Sequence, residues 1–108
     1  MRPRSNLERR KTPRIPTPNG LWVSWESGEN KVTSRIEDFS ALGAFIVSEQ
    51  TLAIGTRFKL LFSLPEGQIQ IQAMVRNAIA GRGMGVEFVG MGGREFDVIL
   101  KVVKRLMS

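Results

Sequence analysis

From Leu21 to Val89 the apolar residues of this chain fall on alternate positions, and clusters of turn-forming residues break the alternation at intervals. A repeat of two belongs to an extended strand with one buried face, so this stretch reads as strands and not as helix. Leu21, Val23 and Trp25 alternate with Trp22, Ser24 and Glu26, and Ser27-Gly28-Glu29-Asn30 follows as a hairpin turn. A second strand runs through Lys31–Glu37, Asp38–Gly43 interrupts it, and Ala44–Ser48 is a short apolar strand. Ala53-Ile54-Gly55-Thr56 turns the chain into Arg57–Leu64, where Phe58, Leu60 and Phe62 share a face. After Pro65-Glu66-Gly67, Gln68–Ile79 sets Ile69, Ile71, Ala73 and Val75 on one side. Ala80-Gly81-Arg82-Gly83 turns once more into Met84–Val89. Some six strands at this spacing predict a mainly all-β antiparallel barrel or sandwich. Closure into a barrel would hide the strand edges that otherwise invite aggregation.

The repeat then changes. Phe96, Ile99, Leu100, Val103, Leu106 and Met107 make one apolar stripe at helical spacing, which predicts a C-terminal α-helix over about 93–107. Asp97 near its start and Lys101, Lys104 and Arg105 near its end suit the helix dipole. The stripe serves either as a lid on the barrel or as a dimerisation or partner surface.

The other end of the chain is a separate kind of polymer. Residues 1–18 are polar and basic, with prolines at 3, 13, 16 and 18, which predicts a flexible, extended N-terminal arm preceding a domain of residues 19–108. Residues 1–14 hold Arg2, Arg4, Arg9, Arg10, Lys11 and Arg14 against Glu8 alone, so the arm carries +5 of the total +6. A nearly neutral body with a cationic arm argues against the broad basic face that grips duplex DNA. The chain has no Cys and no His, which removes disulfides, thiolate zinc sites, the commonest metal ligand and the commonest general base. No apolar run approaches the ~18–20 residues of a membrane span, and no signal-peptide stretch follows the basic start. A cytoplasmic, non-enzymatic module without cofactor or metal is the expectation.

Two motifs stand out against that background. Arg10-Lys11-Thr12-Pro13-Arg14 is an RxxxR spacing with Arg9 before it. On an extended chain its two arginines lie about 13 Å apart at the backbone, within reach of one ligand. A guanidinium fork matches phosphate oxygens and the O6/N7 edge of guanine. The second motif, DxSxxG, is Asp38-Phe39-Ser40-Ala41-Leu42-Gly43. Its bland role is a capped turn, with Asp and Ser bonding nearby amides and Gly supplying conformational room. Its functional role needs an exposed carboxylate and hydroxyl, the carboxylate accepting from the N1 and N2 donors of guanine.

With both motifs in this order, and with Val75-Arg76-Asn77 followed by Gly83-Met84-Gly85-Val86-Glu87-Phe88, the chain resembles the PilZ domain, the bacterial receptor for cyclic di-GMP, from Arg9 to the terminal helix. The resemblance implies a six-stranded antiparallel barrel, with the arm folding over its outside. It implies that Arg10 and Arg14 engage guanine and phosphate groups, that Asp38 and Ser40 contact a guanine, and that Gly43 allows close approach. Arg9, just before RxxxR, looks like the type that takes a stacked pair of ligand molecules. The implied partners are cyclic di-GMP and a downstream protein, with the chain itself a monomer or homodimer. Arg76 reads as an outward strand residue, Trp25 as core and Trp22 as surface. The rival readings are a single-stranded nucleic-acid-binding barrel and a protein-interaction module that binds no nucleotide.

Overall fold

Each period-two segment becomes a strand in the computed structural model, which describes residues 15–27 and 29–107. The described strands are β1 (Ile15–Ser27), β2 (Asn30–Phe39), β3 (Gly43–Val47), β4 (Arg57–Leu64), β5 (Gly67–Ile79) and β6 (Gly83–Gly90). A helix, α1 (Gly93–Met107), follows them. The strands close into an antiparallel barrel in the order β1-β2-β3-β6-β5-β4. Of the two architectures the alternation allowed, the barrel is the one formed. Most neighbours are hairpins; the long-range ladders are β3–β6, and β1–β4, where Val23, Ser24 and Trp25 pair with Phe62, Leu61 and Leu60.

The alternate side chains meet inside. Val23, Trp25, Ile36, Phe39, Leu60, Phe62, Ile71, Val75 and Val86 are buried, each worth roughly 1.5–3 kcal/mol against exposure. Phe39, Phe62 and Phe88 form a mutual aromatic trio, with ring centroids 5.9 to 6.3 Å apart. Trp25 buries its indole and donates its Nε1–H to the buried Ser34 hydroxyl at 3.0 Å, so the polar handle is satisfied. Trp22, one residue out of phase, is exposed.

The strand period locates β1 from Leu21, but the strand begins at Ile15 and passes through Pro16 and Pro18. Ile15 pairs with Phe39 and Pro16 with Asp38, after which the register is irregular until Leu21 meets Ile36. Proline donates no ladder hydrogen bond and is confined to edges and bulges. Both conditions hold here. Among the described residues this end of β1 pairs only with β2, and Pro18 falls in the irregular stretch.

The helix keeps the predicted bounds, but its apolar stripe is wider than the sequence period suggests and is split. Val98, Ile99 and Val102 are buried where α1 lies against β5 and β1. Phe96, Leu100 and Met107 remain exposed on the flank. At 3.6 residues per turn the two sets point in different directions, so α1 is a lid that leaves apolar surface uncovered. The Glu95 carboxylate accepts the Gly92 N–H at 3.0 Å, reaching back across the first turn as a capping box does. The far end is held by Arg105 and Glu66, with an Arg105 Nη2–H to Glu66 Oε1 bond of 3.1 Å.

Two predictions follow from this packing. A Cβ on Gly43 would stand 2.2 Å from the Val86 carbonyl oxygen, in the β3–β6 ladder. Gly43→Ala is expected to lose about 1–3 kcal/mol, as a lower urea midpoint at unchanged slope. Gly93→Ala, whose methyl meets nothing within 4 Å, is the control and should not lose stability. The second concerns pH. The hydrogen bond from Arg105 holds the Glu66 carboxyl below its ordinary value. A carboxyl whose value falls on folding binds protons more readily when unfolded. Its contribution is therefore present above the ordinary Glu value of about 4.3 and is lost as pH falls through the lowered one. Glu66→Gln should be less stable than the parent at neutral pH, with the difference vanishing in acid; a difference independent of pH would refute this origin.

Candidate functional site

The second motif is built at a bulge. Ile36 pairs with Ile46 and Asp38 with Phe45, which leaves Glu37 as an extra residue in β2. The bulge ends the alternation, so strict period two does not carry past Ile36. The strand therefore runs on through Asp38 and Phe39, where the sequence reading starts the turn at Asp38. Phe39 returns to the core, and Asp38 sits half-buried between Pro16 on β1 and Phe45 on β3.

Glu37 is itself held. One nitrogen of Arg82, in the β5–β6 turn, lies 3.0 and 2.9 Å from its two carboxylate oxygens. The Arg82 guanidinium stacks over the Phe45 ring at 4.8 Å, and its carbonyl accepts the Ser48 N–H at 3.0 Å. A cation on an aromatic face and a carboxylate on the same guanidinium fix the bulge next to Asp38. Sequence reasoning missed Glu37, Phe45 and Arg82 as supports of the motif. The signal was present as two adjacent carboxylates, Glu37-Asp38, which no strict alternation accommodates.

Ser40 fulfils the turn-building role. Its N–H donates to the Gly43 carbonyl at 2.9 Å, and its hydroxyl oxygen accepts the Leu42 and Gly43 amides at 3.1 and 3.3 Å. At 2% exposure it is not the open hydroxyl that the functional reading called for. The close approach that Gly43 allows is to β6, where it pairs with Glu87. The Leu42 carbonyl accepts the Phe88 N–H at 2.8 Å, so the turn is fastened to β6 on a second line.

Arg76 points outward, as the sequence reading has it. A second bulge makes it the extra residue of β5, between the Val75–Val86 and Asn77–Gly85 pairs, and it meets Glu87 at 3.2 Å. The Gly43 end of the outer face thus carries Arg76 and Glu87 beside the turn. Arg9, Arg10 and Arg14 lie outside the described residues. Arg14 precedes Ile15, whose pairing with Phe39 brings the start of the described chain beside Asp38. Among the described residues no three Asp, Glu, His or Cys come together as a metal site, and no helix is long and apolar enough to cross a membrane. A surface depression lined by Ser24, Lys31, Lys59 and Gln70 lies toward the other end of β2 and includes no motif residue.

Comparison with known proteins identifies the architecture. The family model of the PilZ domain matches residues 8–105. The PilZ domain of YcgR from Escherichia coli, solved with c-di-GMP, superposes with a TM-score of 0.77 at 16% identity, over 92% of each chain. The Bacillus subtilis inhibitor of motility, MotI/DgrA, gives 0.75 at 23% identity over 91% of this chain, which spans 51% of that protein. The PilZ domain of CeSA from a cellulose-synthesizing bacterium gives 0.67 at 22% identity, over 89% and 99% of the two chains. The chain likewise spans 46% of the longer YcgR structure. Comparison with curated protein sequences finds no match. With the family model spanning both motifs, the bulged DxSxxG turn and the barrel, the chain belongs to the PilZ domain family.

Proposed function

We propose that the chain is a cytoplasmic bacterial receptor module, not an enzyme, that binds cyclic di-GMP between its N-terminal arm and the Asp38–Gly43 turn and passes the signal to a protein partner. The observation that carries this reading is the pairing of Ile15 with Phe39 and of Pro16 with Asp38. Arg14 is bonded directly to Ile15, and Arg10 is four residues further, about 13 Å of extended chain. Both arginines are thereby tethered to the strand end that holds the Asp38 carboxylate. Solved PilZ proteins of the same fold, among them YcgR, carry c-di-GMP in their structures.

The chemistry is complementary. Asp38 accepts the N1–H and N2–H donors of a guanine, and Arg10 and Arg14 supply forks for the O6/N7 edge and for the phosphates. Ser40 and Gly43 act chiefly by shaping the turn that presents Asp38, and Ser40 reaches guanine only by exchanging a turn hydrogen bond for a ligand one. Arg9 favours a stacked pair of ligands. Binding orders the arm against the barrel. Fixing each residue costs roughly 1–2 kcal/mol, which charge-assisted arginine bonds of about 1.5–3 kcal/mol each offset. The changed arm surface is what a partner reads.

Isothermal titration with cyclic di-GMP is expected to give micromolar or tighter binding, with a stoichiometry near two if Arg9 acts as proposed. Arg10→Ala, Arg14→Ala or Asp38→Ala should each weaken it at least about tenfold, or about 1.4 kcal/mol. No binding by the parent chain would overturn the reading. Amide exchange should show residues 6–16 gaining protection only with ligand; equal protection in both states would remove the ordering step and leave the receptor.

A further inference from the structure

The flank of α1 left open by the barrel has a spacing of its own. Phe96, Leu100, Val103 and Met107 are separated by four, three and four residues. Phe96, Leu100 and Met107 are 41%, 43% and 66% exposed, and Val103 is half-buried between them. Alternating steps of four and three are the repeat of a helix-pairing seam. Val98, Ile99 and Val102 serve the barrel, and Val103 borders both faces, packing on the core while lying between Leu100 and Met107 on the open side.

The charges beside the seam say what covers it. Asp97 and Lys104 lie seven residues apart, on the same side of the helix. The first half of α1 holds Arg94, Glu95 and Asp97, with Arg94 3.6 Å from Glu95, and the second half Lys101, Lys104 and Arg105, the last bonded to Glu66, so the first half is net acidic and the second net basic. A parallel partner of the same sequence would set Asp97 on Asp97 and Lys104 on Lys104. An antiparallel one opposes unlike charges and opposes the helix dipoles. With Phe96 layered on Met107 of the second copy and Leu100 on Val103, Asp97 falls two residues, about 3 Å of rise, from Lys104 of that copy. An anionic lipid surface would instead favour basic residues along the whole polar flank, which Asp97 interrupts.

We propose that α1 is a self-association surface on which two copies of the chain pair antiparallel through Phe96, Leu100, Val103 and Met107, with Asp97 of each copy beside Lys104 of the other. The contact is isologous, as two-fold pairing requires. Four apolar side chains per copy bury less than the about 1,200 Å² of a standard interface, so the association is weak and set by concentration.

Sedimentation velocity on the full chain, over about a hundredfold range of concentration, reads the equilibrium directly. The average mass should rise toward twice that of one chain. Leu100→Glu, at a position too exposed to upset the barrel, should weaken association at least about tenfold. Asp97→Lys and Lys104→Asp should each weaken it, and the two together should restore it, with circular dichroism confirming an unchanged fold. A monomer at every concentration, an unaffected Leu100→Glu protein, or a double reversal no better than the single ones would each overturn the proposal. Should Leu100→Glu not fold, the charge-reversal set carries the test alone.

Discussion

The barrel depends on how closely β3 can approach β6. Strand β3 is five residues long and is the one link by which the β1-β2-β3 meander reaches the β6-β5-β4 meander on that side. Glycine stands at both ends of the ladder: Gly43 opposite Glu87, and Gly83 opposite Val47. A Cβ at either would lie within 2.2 Å of a carbonyl oxygen across the ladder, from Val86 or Ile46. No rotamer relieves such a contact, because the clash is with the first side-chain carbon. Between the glycines, Ala44 and Ile46 are fully buried. This small-residue seam lets Phe39, at the end of β2, meet Phe88 of β6.

The site inherits its geometry from that seam. Opposite this short strand β2 carries a bulge, and the bulge takes Glu37 and Asp38 out of the regular alternation. Glu37 is then tied to Arg82 in the β5–β6 turn, whose guanidinium rests on Phe45 of β3. An exposed ion pair alone contributes little. Here the guanidinium also covers an aromatic ring, and its own backbone is bonded to Ser48, so three elements hold the strand beside Asp38.

Much of this was legible in the residues. Alternation located every strand to within a few residues, apart from the start of β1, because each strand has one face in the core. The period changed where α1 begins, and α1 kept its bounds. The beginning of β1 was hidden because Pro16 and Pro18 argue against a central strand, and an edge strand with an irregular register satisfies that objection without leaving the barrel. The motif turn was recognised, but the part Ser40 plays within it follows only from three-dimensional bonding. The support from Arg82 joins residues 45 apart in the chain, a separation at which no local pattern operates. Likewise, the stripe on α1 told of an apolar helix, but only packing could divide it into a barrel face and an open flank.

The turn is also close in covalent terms to the helix. The Leu42 carbonyl holds the Phe88 amide, and five residues beyond Phe88 the chain enters α1. That link runs through the Phe39–Phe62–Phe88 trio, in which each ring packs on the other two. A close-packed aromatic core has few alternative arrangements of similar energy, so it transmits position better than it transmits change. A coupled response needs an element with two states of comparable free energy. In this fold the barrel is poorly suited to be that element. Under the proposed function that element is the cationic arm, which continues from Ile15 at its pairing with Phe39, because ordering it would leave the barrel as it is and replace one surface by another. The proposed function thus makes the barrel the fixed half of a receptor and the arm the half that responds.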